Sequence, residues 1–173
     1  MIYKILLAVL LFLPTSIYTF YFNDASGSPV QLSKFRGKKI LIVNVATGSK
    51  RVGQLSELQT LQNRFSDSLV IIAFPSNSFG HEQKADSDIK QFCIDNYNTT
   101  YLIAGKISVK GSDIHPIFNW LTSQSENGAM TGEIVGDFQK YLIDESGNLQ
   151  ASFSPIVSPL SQMVIDAIET NYQ

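Results

Sequence analysis

The sequence predicts an α/β fold, a mixed central β-sheet flanked by helices with an N-terminal β-hairpin leading in. Two near-continuous apolar runs, residues 40–45 (ILIVNV) and 69–74 (LVIIAF), have the composition of strands covered on both faces. Around them lie segments whose apolar residues recur every three or four positions. Strands and helices that interleave along the chain in this way define the class.

The elements follow in order. Residues 17–22 form an aromatic-rich run ending in Asn23-Asp24-Ala25-Ser26-Gly27, which reads as a strand, a turn and a return through Val30. Lys38-Lys39 lead into 40–45, the central strand. Across 54–65, Leu55, Leu58, Leu61 and Phe65 share one face while Glu57, Gln59 and Asn63 lie off it, the pattern of an amphipathic helix. Residues 69–74 supply a second buried strand. Ile89, Phe92, Cys93 and Asn96 mark a helix over 86–96, with Asp86 or Ser87 as its N-cap. Short extended pieces are expected at 100–102 and 106–109. His115-Pro116 open a helix through Ile117, Trp120 and Leu121, proline being suited to a first turn. The Ser-, Asn- and Gly-rich stretch 123–132 is a loop. Residues 140–144 and 149–153 flank Glu145-Ser146-Gly147-Asn148, a hairpin signal, and 160–168 close the chain as a helix with Leu160, Met163, Val164 and Ala167 as its apolar stripe.

Composition narrows the function. A chain of 173 residues, 44% hydrophobic and 16% charged, suits one domain able to bury its own core. A net charge of -2 with scattered Lys and Arg offers no field for a polyanion, which argues against nucleic acid as a partner. The single Cys93 excludes an internal disulfide, and His81 and His115 show no metal-ligand spacing, so no metal and no resident cofactor is expected. Lys4 is followed by nine apolar residues, Ile5 to Leu13, and then Pro14-Thr15-Ser16. That run is too short to span a bilayer and fits the h-region of a secretory signal, with a buried strand or a signal anchor as the alternatives. The expected organisation is residues 1–15 as a signal or hydrophobic segment and 16–173 as one domain, exported to the periplasm or secreted.

Four stretches, taken in order, resemble the glutathione peroxidase family. They are Gly37-Lys38 with Leu41-Ile42-Val43-Asn44-Val45-Ala46; Ala73-Phe74-Pro75-Ser76-Asn77-Ser78-Phe79-Gly80; Phe92-Cys93 with Lys106-Ile107-Ser108-Val109-Lys110-Gly111; and Phe138-Gln139-Lys140-Tyr141-Leu142-Ile143-Asp144. His115-Pro116, Trp120-Leu121 and Phe153-Ser154-Pro155 add smaller matches. Each piece alone is weak, but the ordered set is specific and runs from about Ser16 to Ile168. The resemblance implies a thioredoxin-like fold, and the short 123–132 loop resembles the compact members, which implies a monomer or loose dimer.

The resemblance also implies an activity whose residues have changed. Peroxide reduction begins when a thiolate or selenolate attacks the O–O bond and is itself oxidised, and a thiol such as glutathione or thioredoxin then restores it. The family pattern N-V-A-S-x-C-G, laid on Asn44-Val45-Ala46-Thr47-Gly48, puts the peroxidatic position at Ser49. A serine oxygen cannot follow that redox cycle, and no base lies near it in sequence. The supporting Gln of F-P-x-N-Q-F-G corresponds to Ser78, and the Trp and Asn of W-N-F-x-K-F correspond to Gly136 and Asp137. An ionised Asp137 only accepts hydrogen bonds and would disfavour a neighbouring thiolate. With four positions changed together, peroxidase activity is expected to be lost or very weak.

Other residues leave two readings open. Cys93 matches the resolving-cysteine position of thioredoxin-dependent members, or is a buried helical cysteine. Lys50 and Arg51 sit beside Ser49 and either bind a small anion, helped by the helix starting near Gln54, or belong to a solvated loop. His81-Glu82 suggests acid/base chemistry, yet resembles an ordinary surface loop of the family. A pseudoenzyme that keeps its fold to bind an unidentified protein or small molecule is the leading expectation. Peroxidase activity with glutathione or thioredoxin in response to oxidative stress, through Cys93 or an unrecognised route, is the alternative.

Overall fold

The two apolar runs become parallel neighbours at the middle of the sheet. A computed structural model describes residues 14–170. Its first elements are a 3-10 turn over Ile17–Thr19 and a hairpin of β1 (Tyr21–Asn23) and β2 (Pro29–Gln31), so the aromatic run is strand only in its second half. Strand β3 (Lys39–Val45) is central, followed by α1 (Gln54–Arg64), β4 (Leu69–Pro75), α2 (Asp86–Tyr97) and the two-residue β5 (Leu102–Ile103). Helix α3 (Pro116–Thr122), a single turn α4 (Gln124–Asn127), the β6 (Lys140–Ile143) and β7 (Leu149–Phe153) hairpin, and α5 (Gln162–Glu169) complete the chain.

The sheet order is β5-β4-β3-β6-β7, parallel from β3 to β5 and antiparallel from β3 to β7. This is the mixed sheet expected. Side chains alternate across β3, so Ile40 and Ile42 join Phe74, Phe118, Trp120 and Tyr141 on one face, while Leu41, Val43 and Val45 meet Leu55, Leu58, Ile89 and Val164 on the other. Aromatic rings link the first layer: Phe22 to Phe74 at 5.0 Å, Phe74 to Phe118 at 5.5 Å and Phe118 to Tyr141 at 6.5 Å, all edge-on.

Three local expectations are corrected. Residues 106–109 form no ladder, because Ser78 and Asp86 side chains take up the Val109 and Lys106 N–H groups instead. That use of Asp86 also leaves α2 capped at Ala85 with no side-chain bond, rather than by Asp86 or Ser87. The buried stripe of α5 is Val164, Ile165 and Ile168; Leu160 and Met163 point outward. The proposed secretory segment lies almost wholly outside the described residues. Packing reaches back to Thr15, whose carbonyl accepts from Trp120 Nε1 at 2.7 Å.

His115 caps α3, its Nδ1 accepting from the Ile117 N–H at 3.3 Å, and burial holds its ring below the ordinary 6.5. The unfolded ring takes up a proton near 6.5 and the folded one only at lower pH, so the unfolded chain binds more protons in that window. Stability should therefore fall as pH drops through the unfolded ring's ordinary 6.5 toward the lower folded value. Urea midpoints are expected to show a smaller fall in His115→Asn, which keeps a capping side chain. Equal falls in both proteins would exclude His115 as the source.

Candidate active site

The loop between β3 and α1 carries Ser49, and a buried carboxylate fixes it. Glu82 is fully buried; its two oxygens accept from the Thr47 N–H at 2.6 Å and the Thr47 hydroxyl at 2.9 Å, and its own N–H donates to Asn77 Oδ1 at 3.0 Å. The surface-loop expectation is thus wrong for Glu82. Beside it the Gly48 N–H donates to the His81 carbonyl at 3.0 Å. No side chain fits between them, since a Cβ on Gly48 would lie 2.6 Å from that carbonyl oxygen.

Ser49 follows, almost buried, with its Oγ accepting from the Arg51 N–H at 3.3 Å. Lys50 is exposed and Arg51 half-buried, and neither forms an ion pair among the described residues. Ser78 faces elsewhere. Its hydroxyl bonds Ser76 Oγ at 3.0 Å and accepts from the Val109 N–H at 3.0 Å, pinning the 106–109 segment.

The third strand of the site is the turn before β6. Phe138 has a left-handed φ of +69°, uncommon for a residue with a side chain, and its N–H donates to the Asn44 carbonyl at 2.6 Å. Asn44 Nδ2 holds the Gly136 carbonyl at 3.1 Å, so β3 grips the turn on both sides of residue 137. Lys140 completes the brace: its ammonium is buried, donates to the Phe138 and Val157 carbonyls at 2.7 Å each, and is pulled down to about 8 by desolvation.

Asp137 is 2% exposed, and its Oδ2 lies 2.6 Å from Nδ1 of His81, whose ring is 53% exposed. Asp137 Oδ1 and Asn44 Oδ1 are buried without partners among the described residues. His81 thus meets Asp137 through its ring and Gly48, the neighbour of Ser49, through its backbone, while Gly136 lies against Pro155. The pairing of His81 with Asp137, 56 residues apart, left no signal in the sequence.

Cys93 is far from such chemistry in character. It is 1% exposed in the layer formed with Leu41, Leu58 and Ile89, and burial pushes its thiol up to about 12. No group of three or more metal-ligating side chains occurs among the described residues, and no helix there is long and apolar enough to cross a membrane.

Comparison with known proteins adds the lineage. The glutathione peroxidase family model matches residues 17–122, a span that includes Ser49, Ser78 and Cys93 and stops short of Gly136 and Asp137. The hydroperoxy fatty acid reductase gpx1 of Synechocystis is 36% identical over 151 residues, 83% of this chain and 89% of that protein. The glutathione peroxidase-like peroxiredoxin HYR1 of Saccharomyces cerevisiae is 36% identical over 140 residues, 80% of this chain and 86% of its own. Among solved structures, T. cruzi GPX1 aligns with a TM-score of 0.68 at 28% identity, covering 90% of this chain and 97% of that one. A thioredoxin-family protein from Chlorobium tepidum, at 18% identity and a TM-score of 0.62, shares the fold. With the family model spanning more than half of its length and relatives at 36% identity along at least 80% of it, this chain belongs to the glutathione peroxidase family and has a thioredoxin-like fold.

Proposed function

We propose that this member of the family does not reduce peroxides and that its retained fold serves binding. The observation that carries the reading is the fate of its only thiol. A peroxidatic sulfur must be reachable and ionised, whereas Cys93 is sealed in the core with its thiol held far toward the protonated form. At Ser49, Ser78, Gly136 and Asp137, the positions that the resemblance assigns to the catalytic set, nothing can cycle between oxidation states.

The names of the relatives favour the other reading, peroxidase activity with glutathione or thioredoxin as reductant, and the burial of Cys93 opposes it. Coupled assays decide between them. Purified protein given hydrogen peroxide or a lipid hydroperoxide, with glutathione or a thioredoxin system, is expected to consume NADPH no faster than a protein-free control. Turnover that disappears in Cys93→Ser would establish peroxidase activity through Cys93, and turnover that survives it would establish a peroxidase route that does not use this thiol.

For binding, Lys50 and Arg51 favour a small carboxylate or other anion, because these two cations follow Ser49 and form no ion pair among the described residues. Such ligands should raise the melting temperature of the wild type and not of the protein with both residues changed to Ala; equal shifts in the two would remove the assignment. Export belongs to the same proposal, on the basic-then-apolar order of residues 4–13. Retention of a reporter fused after residue 15 inside the cell would count against it.

A further inference from the structure

We propose that Ser49, His81 and Asp137 form a base-assisted nucleophile that cleaves small esters. This goes beyond the loss of peroxide chemistry and needs no thiol. The roles follow from the hydrogen bonding. Asp137 Oδ2 accepts at 2.6 Å, so the neutral His81 ring carries its proton on Nδ1 and leaves the Nε2 lone pair unused. Nε2 has no partner among the described residues, and the half-exposed ring keeps it accessible. A nearly buried carboxylate on Nδ1 is what fixes an imidazole as a general base and stabilises the imidazolium that forms. The asparagine of the family pattern would present an amide there instead.

Ser49 sits on the loop that touches the His81 backbone. Gly48, its neighbour, is bonded to the His81 carbonyl, so the two loops touch one residue from the nucleophile. The Ser49 hydroxyl proton has no acceptor among the described residues; its oxygen takes the Arg51 N–H. Ser49 Oγ and His81 are not hydrogen-bonded to each other in the structure, and nucleophile–base contacts of this kind often close only when substrate is seated. The Lys50 N–H, directly after the nucleophile, donates to no described group and can receive a developing oxyanion.

The step balances without an added oxidant or reductant. Nε2 takes the Ser49 proton as Oγ attacks the ester carbonyl carbon, and the carbonyl π pair moves onto oxygen. That pair returns as the ester C–O bond breaks, and the leaving alkoxide takes the proton from Nε2. Water then repeats the sequence on the acyl-serine, releasing the carboxylic acid and restoring the hydroxyl.

The test uses the full chain with an alkyl fluorophosphonate, without peroxide or thiol, read by intact mass and peptide mapping. A single adduct on Ser49 is expected, absent in Ser49→Ala. In His81→Ala, with folding confirmed by circular dichroism because the buried Asp137 carboxylate loses its partner, labelling should slow by about 100-fold or more. Hydrolysis of p-nitrophenyl butyrate should fall in parallel. No adduct on the wild type, an adduct on another serine, or an unchanged rate in His81→Ala would each overturn the proposal. Labelling and peroxide turnover are separate readouts, so a protein that labels at Ser49 and also reduces peroxide keeps this inference and loses the preceding one.

Discussion

Glu82→Ala is expected to cost about 3 kcal/mol of folding stability, with the melting temperature falling by roughly 10 °C. The carboxylate is fully buried and holds both the N–H and the hydroxyl of Thr47, with the Lys84 N–H at 3.3 Å as a further donor. Hydrogen bonds to a charged acceptor are the strong ones, and truncation leaves the Thr47 amide buried without a partner. Glu82→Gln keeps one acceptor oxygen and should lose about 1 kcal/mol. Urea denaturation of the three proteins checks the ordering. A Glu82→Ala midpoint equal to the wild type would mean that the Ser49 loop is held by its own turns and not from the β4 side.

Trp120→Ala is the larger loss, about 4 kcal/mol. The indole is wholly buried between α3 and the sheet, meets the Phe20 ring edge-on at 6.5 Å, and donates to the Thr15 carbonyl. Trp120→Phe separates the two contributions, because it refills most of the volume and removes only the tether. It should cost less than half as much in urea while making the segment around Thr15 a target for limited proteolysis. Protection of that segment in Trp120→Phe would show that the Thr15 N–H bond to the Glu126 carbonyl holds it alone.

The frame was legible because its signals are local. Residues 40–45 and 69–74 have the short, apolar, β-branched composition of buried strands, and they pair in register as β3 and β4. Leu55, Leu58 and Leu61 have one helical phase and bury on it. Helix α5 was harder: Leu160, Met163, Val164 and Ala167 make one acceptable stripe and Val164, Ile165 and Ile168 another, and only the sheet decides between them. Strand β5 is two residues long, too short for any period to register.

The site divides in the same way. Ser49, Ser78, Gly136 and Asp137 were reachable through motifs kept in order along the chain, yet the structure separates Ser78, whose hydroxyl serves the 106–109 segment. Glu82 was misread because acidic side chains are seldom fully buried, and what compensates its burial is a backbone amide 35 residues earlier. His81 and Asp137 meet only because the β4–α2 loop and the turn before β6 converge at one end of the sheet. Nothing in either local sequence encodes that meeting.

Gly48 sets a condition on this arrangement. The family pattern leaves its position open to any residue, but here a single methyl group would collide with the backbone oxygen of residue 81. A side chain at 48 therefore forces the two loops apart and gives up the bond between the Gly48 N–H and the His81 carbonyl. A missing atom, rather than any charged group, is the latch that lets the two loops close.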